Sequence, residues 1–210
     1  MSLSEHEDVI AYKPAIKKAQ RRLERTGIED IIDKTGLEFI EEENKFVIPS
    51  LNQKYYVDYP TGEMSSSNPE IPVAIGMKIV TLHFLTRGNN WEPNGELISY
   101  KELPGGNVYS DAFQREAIKP IINNLCQHPN KLKKAAKKLG AQFIDKGDLG
   151  FTIETLPTIP LTYIIWFSDE ELNGGANILF DSSVITKLHT EDVAFLGQYT
   201  TSLLIKLVSN

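Results

Sequence analysis

Residues 159–167 read Ile-Pro-Leu-Thr-Tyr-Ile-Ile-Trp-Phe, and this run constrains the fold more than any other part of the chain. Ile159, Leu161, Tyr163, Ile165 and Phe167 would share one face of a strand, with Thr162, Ile164 and Trp166 on the other. A strand apolar on both faces belongs in the middle of a sheet covered from both sides. Leu156-Pro157-Thr158 forms a tight connection back to a partner strand over Phe151 to Thr155, and Asn177 to Phe180 supplies a shorter strand after the Gly174-Gly175 turn. A second apolar block, the helix from about Pro72 to Arg87, carries Val73, Ile75, Met77, Ile79, Val80, Leu82, Phe84 and Leu85 all round its circumference. Such a helix is buried, and it is expected to pack across the sheet.

The remaining punctuation is mostly helical at the ends and extended between. Ser4 and Glu7 have capping-box spacing, and the helix that follows contains Pro14 and stops at Gly27. Ile28 to Lys34 adds a short helix before Gly36. Leu37 to Glu41 and Lys45 to Ile48 flank a Glu42-Glu43-Asn44 turn, and Tyr55, Val57 and Tyr59 mark another strand that ends at Pro60. Thr61 to Pro72 reads as loop. Leu97 to Tyr100 is extended and leads into the sharp Leu103-Pro104-Gly105-Gly106 turn. Ser110 is placed to cap a helix running through Leu125 with an interruption near Pro120, and Pro129 opens another that Gly140 ends. Thr190 caps the last helix, whose apolar face is Val193, Leu196, Thr200, Leu203, Leu204 and Leu207. The expectation is one globular α+β domain over residues 1–210, with a mixed or mostly antiparallel sheet, a buried central helix and packing helices.

Charge and cysteine usage narrow the partners. The chain of 210 residues has 22 basic against 28 acidic residues and a net charge of −6, which argues against nucleic acid as the main partner. Cys126 is the single cysteine, so neither an intramolecular disulfide nor an iron–sulfur cluster held by this chain alone is available. The first residues are polar and acidic, and the apolar run Val73 to Leu85 is shorter than the roughly 20 residues that cross a bilayer. These features predict a soluble, cytoplasmic protein.

Two places gather residues able to carry chemistry. Asp169, with Glu170 and Glu171, precedes Asp181-Ser182-Ser183 and then His189-Thr190-Glu191-Asp192. Asp169, Asp181, His189 and Asp192 would suit a divalent cation or acid–base work. The same residues also suit plain structural roles: a solvated loop, an Asx turn at Asp181, and a helix start at Glu191 and Asp192. The second place is the Gly105-Gly106 turn, where backbone N–H groups would face an anion and Tyr100, Lys101 and Tyr109 would line a pocket. Turn geometry alone also accounts for those glycines. Two basic helices (Lys17, Lys18, Arg21, Arg22 and Arg25; Lys131, Lys133, Lys134, Lys137 and Lys138) sit opposite apolar stripes, as solvated faces do. His83 on the apolar helix reads as a buried, hydrogen-bonded histidine or, alternatively, as a haem or corrinoid ligand.

The ordered succession of motifs goes further. Ile98-Ser99-Tyr100-Lys101-Glu102-Leu103-Pro104-Gly105-Gly106, Leu139-Gly140-Ala141, Gly147-Asp148, Leu156-Pro157-Thr158-Ile159-Pro160-Leu161, Ile165-Trp166, Asp169-Glu170-Glu171, Ile178-Leu179-Phe180-Asp181-Ser182-Ser183 and Thr190-Glu191-Asp192 follow one another. From about Tyr12 to Leu204 the chain resembles a domain family of anaerobic bacteria and archaea known only as a domain of unknown function. Some members are fused to an iron–sulfur segment similar to that of corrinoid proteins. The resemblance therefore implies anaerobic metabolism and a corrinoid or redox partner, and it supplies no catalytic residues. The leading expectation is a non-catalytic accessory domain that binds a small ligand, cofactor or protein through Tyr100, Gly105, Gly106, Tyr109, Asp169 and Asp181. The alternatives are a cation-dependent hydrolase or transferase using Asp169, Asp181, His189 and Asp192, and a pure protein-interaction domain.

Overall fold

The computed structural model describes residues 3–67, 73–87, 92–168 and 173–209, with side chains from Tyr12 onward. It is an α+β protein with two antiparallel sheets. The chain divides into two compact units, residues 1–91 with 186–188, and residues 92–185 with 189–210.

In the first unit, helix α1 (Leu3–Glu24) passes through Pro14 without a break, and α2 (Ile28–Thr35) follows. Gly27 does not terminate α1; it is the extended N-cap residue of α2. Gly36, at φ 65°, closes α2 by donating its N–H to the Ile32 carbonyl at 2.7 Å, a left-handed position that glycine occupies without steric cost. Strands β1 (Glu38–Ile40), β2 (Lys45–Ser50), β3 (Gln53–Asp58) and β4 (Met64–Ser66) form a four-stranded antiparallel meander in sequence order. Asn44 takes a left-handed conformation after a 3-10 turn at Glu41–Glu43, so the expected β1–β2 turn is present. Leu51 and Asn52, both at positive φ, make the two-residue β2–β3 turn that pairs Ser50 with Gln53. β4 lies inside the segment expected to be loop.

Helix α3 (Ile75–Thr86) buries Met77, Ile79, Val80, Thr81, Leu82, Phe84, Leu85 and Thr86. Its chief neighbours are α1 and α2, so the helix expected to lie across a sheet is covered mainly by other helices. The expected flanks at Pro72 and at Gly88-Asn89-Asn90 lie outside the described residues. Lys187 also belongs to this unit. It is 1% exposed, its ammonium donates to the Lys34 carbonyl, and it stands 5.5 Å from the Phe84 ring centroid. A cation at the last turn of α2 meets the negative end of that helix.

The second unit is built on a five-stranded antiparallel sheet in the order β5-β9-β8-β7-β6. The strands are β5 (Leu97–Ser99), β6 (Gln142–Ile144), β7 (Leu149–Leu156), β8 (Ile159–Trp166) and β9 (Gly175–Asp181). β8 is the middle strand, as its two apolar faces predict, and Pro157-Thr158 forms the turn from β7. Helix α4 (Gly106–Phe113) runs into a π-helical segment, Gln114–Ile118, and then α5 (Lys119–Asn124). Lys119 donates back five residues to Gln114. That wider register falls where Pro120 lacks an N–H and its ring would collide with the carbonyl four residues before it.

Helix α6 (Pro129–Lys138) ends as expected at Gly140: Gly140 donates to Lys137 and Ala141 to Ala136. Helix α7 (Thr190–Ser209) buries Val193, Leu196, Gly197, Thr200, Thr201, Leu204 and Val208. The centre of the unit is aromatic. Tyr100 stacks on Phe113 with centroids 4.4 Å apart, Phe113 meets Phe180 at 5.8 Å, and Phe151 stacks on Tyr163 at 5.0 Å.

Candidate functional site

The Gly105-Gly106 turn is shaped by packing from below. The Ser99 backbone N–H and hydroxyl both donate to the Glu102 carboxylate, at 2.8 and 2.7 Å, and hold a 3-10 turn over Tyr100–Glu102. These bonds, the hydroxyl's first, lower the Glu102 carboxyl pKa below its ordinary value. The chain then reverses through Gly105, at φ 76°, and enters α4 at Gly106, which lies four residues before Ser110. Gly106 packs against the preceding turn so closely that only glycine fits: a Cβ there would stand 1.9 Å from the Tyr100 carbonyl oxygen. Ser110 is inside the helix and caps nothing. On the other side, the Thr190 hydroxyl donates to the Pro104 carbonyl at 2.8 Å.

Of the two tyrosines expected to line a pocket, Tyr100 is 4% exposed and part of the aromatic core, while Tyr109 is 56% exposed. Burial raises the Tyr100 phenol pKa, with smaller contributions from the Glu191 carboxylate and Tyr109. Beside Tyr109 stands Val108, at 73% the most exposed large apolar side chain described. Sequence reasoning passed over Val108, although an apolar residue two positions after a Gly-Gly turn, in the first turn of a helix, was a usable signal.

Asp181, at the end of β9, is 2% exposed. Its carboxylate accepts the Asn94 N–H at 3.2 Å, the Gly95 N–H at 2.7 Å, the Ser183 N–H at 3.1 Å and the Ser183 hydroxyl. Burial raises its pKa, but these four bonds outweigh it and leave the carboxyl below the usual aspartate value. Both oxygens are thus committed to tying the segment before β5 to the turn after β9. Among the described residues Asp181 joins no cluster of metal-ligating groups.

His189 and Asp192 do come together, with ligating atoms within 4.8 Å. A helix-start contact joins them: the His189 N–H donates to the Asp192 carboxylate at 2.9 Å, and the His189 carbonyl accepts from Val193. His189 therefore occupies the cap position expected of Thr190. Asp169, Glu170 and Glu171 lie outside the described residues. His83 is half-buried on α3, and Cys126 is buried, with its thiol pKa raised by desolvation. In the basic helix α6, Lys131 donates to the Val208 carbonyl at 3.1 Å and Lys133 lies 5.6 Å from the Phe143 ring, so part of that charge serves packing.

Residues 27–202 match the family model described as Domain of unknown function (DUF3786), and the chain belongs to that family. The match begins at Gly27 and leaves α1 outside it. No curated protein and no solved structure matches the chain. Among the described residues no helix is long and apolar enough to cross a membrane.

Proposed function

We propose that the chain is a non-catalytic accessory domain that docks a protein partner through the first turn of α4. The observation that carries this reading is the exposure of Val108 and Tyr109 side by side, 73% and 56%, on a backbone held by Gly106 and Thr190. A fixed aromatic and aliphatic pair contributes contact area with little further loss of conformational freedom. The burial of Tyr100 favours a protein over a small ligand at this turn, because one wall of the expected pocket is turned into the core. The non-catalytic reading draws support from Asp181 and Asp192, whose carboxylates accept backbone hydrogen bonds that fix local structure. Family resemblance suggests where to look for the partner: the cytoplasm of an anaerobic prokaryote, among corrinoid or redox proteins.

The test is site-directed photo-crosslinking in the natural host under anaerobic conditions. A photoreactive residue at position 108 or 109 should capture one discrete species, and the same probe at exposed Glu154 on β7 should not. Capture at Tyr109 should be lost in Val108→Ser. Indiscriminate capture at all three positions, or none at 108 and 109, would remove the proposal.

A further inference from the structure

In the first unit, a groove of about 380 Å³ runs between the exposed face of α1 and the turn that follows β3. It is lined by Lys17, Gln20, Arg21, Glu24, Pro60 and Thr61. The two walls are pinned to each other. The Tyr59 hydroxyl donates to the Thr26 carbonyl at 3.1 Å, and the Gln20 amide reaches the Glu63 carboxylate at 3.4 Å. Gly62, at φ 69°, lies so close that a Cβ would meet Gln20 Cγ and Leu82 Cδ2 at 3.1 Å. Ala19 and Leu23, on the opposite side of α1, are buried. The helix thus presents its polar face to the groove in a fixed orientation.

The charge on that wall runs against the rest of the molecule. Between Lys13 and Arg25 there are Lys13, Lys17, Lys18, Arg21, Arg22 and Arg25 against Glu24 alone, in a chain whose net charge is −6. Lys17 and Arg21 form no ion pair among the described residues. Their ammonium and guanidinium groups, with the Gln20 amide and Thr61 hydroxyl, give a concave surface rich in donors. An arginine fork beside a lysine suits a phosphate group, whose oxygens accept several charged hydrogen bonds together. The volume lies in the range of small-molecule sites and exceeds what one phosphate fills. We infer that this groove binds a small phosphorylated molecule, its phosphate held by Lys17 and Arg21 and another part of it offered to the Glu24 carboxylate. A single-stranded nucleic acid fits less well, because no aromatic side chain lines the groove for bases to stack on. The inference concerns a different unit from the α4 surface and stands independently of it.

Calorimetric titration of the full chain with pyrophosphate at low salt tests the site. Saturable binding is expected, weakened by about tenfold or more in Arg21→Glu and in Lys17→Glu, as loss of one charge-assisted contact requires. Glu24→Gln should tighten pyrophosphate binding, since it removes a like charge from the groove. All three positions are exposed, so circular dichroism should show unchanged folding in each variant. Absence of saturable binding by the parent chain, or an Arg21→Glu variant that binds as well as the parent, would overturn the inference. So would an oligothymidylate that binds more tightly than pyrophosphate, since that outcome assigns the basic face to nucleic acid.

Discussion

Asp181 accepts four hydrogen bonds while almost wholly buried, so its removal is expected to act on stability and not on any reaction. Asp181→Asn turns an amide N–H₂ towards backbone donors and should cost about 2 kcal/mol in urea unfolding. Because folding lowers this carboxyl from its ordinary 3.8, its contribution is complete above that value and fades as pH falls through the lower folded value. Stability of the parent should therefore decline below about pH 4 more steeply than that of the Asn variant. Tyr163 makes the opposite case. Its hydroxyl faces those of Thr200 and Thr201, close enough to work against the effect of burial on the phenol but outside good hydrogen-bond geometry. Tyr163→Phe should then shift the unfolding free energy by less than about 1 kcal/mol; a loss of several would mean that the three hydroxyls are bridged. The Asx turn of Asp181 with Ser183 was legible in the sequence, three letters long. Its bonds to Asn94 and Gly95 were not, because backbone donors some 86 residues away leave no mark in the residue pattern.

Elements were legible wherever a buried face imposed a period. β8, α3, α6 and α7 all follow from their apolar spacing, and α6 also from its terminator at Gly140. β4 was missed because Met64-Ser65-Ser66 sits in a Ser- and Pro-rich stretch that reads as loop, and β6 because Gln142-Phe143-Ile144 shows no alternation; β1 and β5, equally short edge strands, were legible. The start of α4 was misplaced because its N-cap is Gly105, which offers no capping side chain, and the next residue is held to glycine by close packing. Gly197 shows the same rule inside α7. Alanine in a helix gains about 1 kcal/mol over glycine. A Cβ at Gly197, however, would stand 2.8 Å from Phe113 Cε2 and 3.0 Å from its Cζ, in a ring packed against Tyr100 and Phe180. Overpacking of this kind costs about 1–3 kcal/mol. Gly197→Ala is thus expected to lower the thermal midpoint despite its better helix propensity.

At the scale of the whole chain, α+β class and the antiparallel character of the sheets could be read from sequence, whereas the division of the strands into two sheets could not. The return to the first unit falls inside the 3-10 turn Ser182–Thr186, where no shift of composition marks it. The family match makes a further prediction possible. It begins at Gly27, yet α1 buries Ala19 and Leu23 and packs on α3. A chain shortened to residues 27–210 should expose apolar surface on α3 and bind a hydrophobic dye that the full chain does not. Dye binding equal to that of the full chain would show that α3 does not need this cover.

Lys187 has a consequence for the order in which the protein is made. The first unit receives its three residues 186–188 only after the chain between Trp91 and Thr186 has been synthesised. At bacterial and eukaryotic elongation rates of about 5–20 residues per second, that interval lasts on the order of 5–20 seconds. For that time the α2 carbonyl of Lys34 and the ring of Phe84 wait without their cation. The first unit is therefore begun before the second and cannot be completed until most of the second has been made.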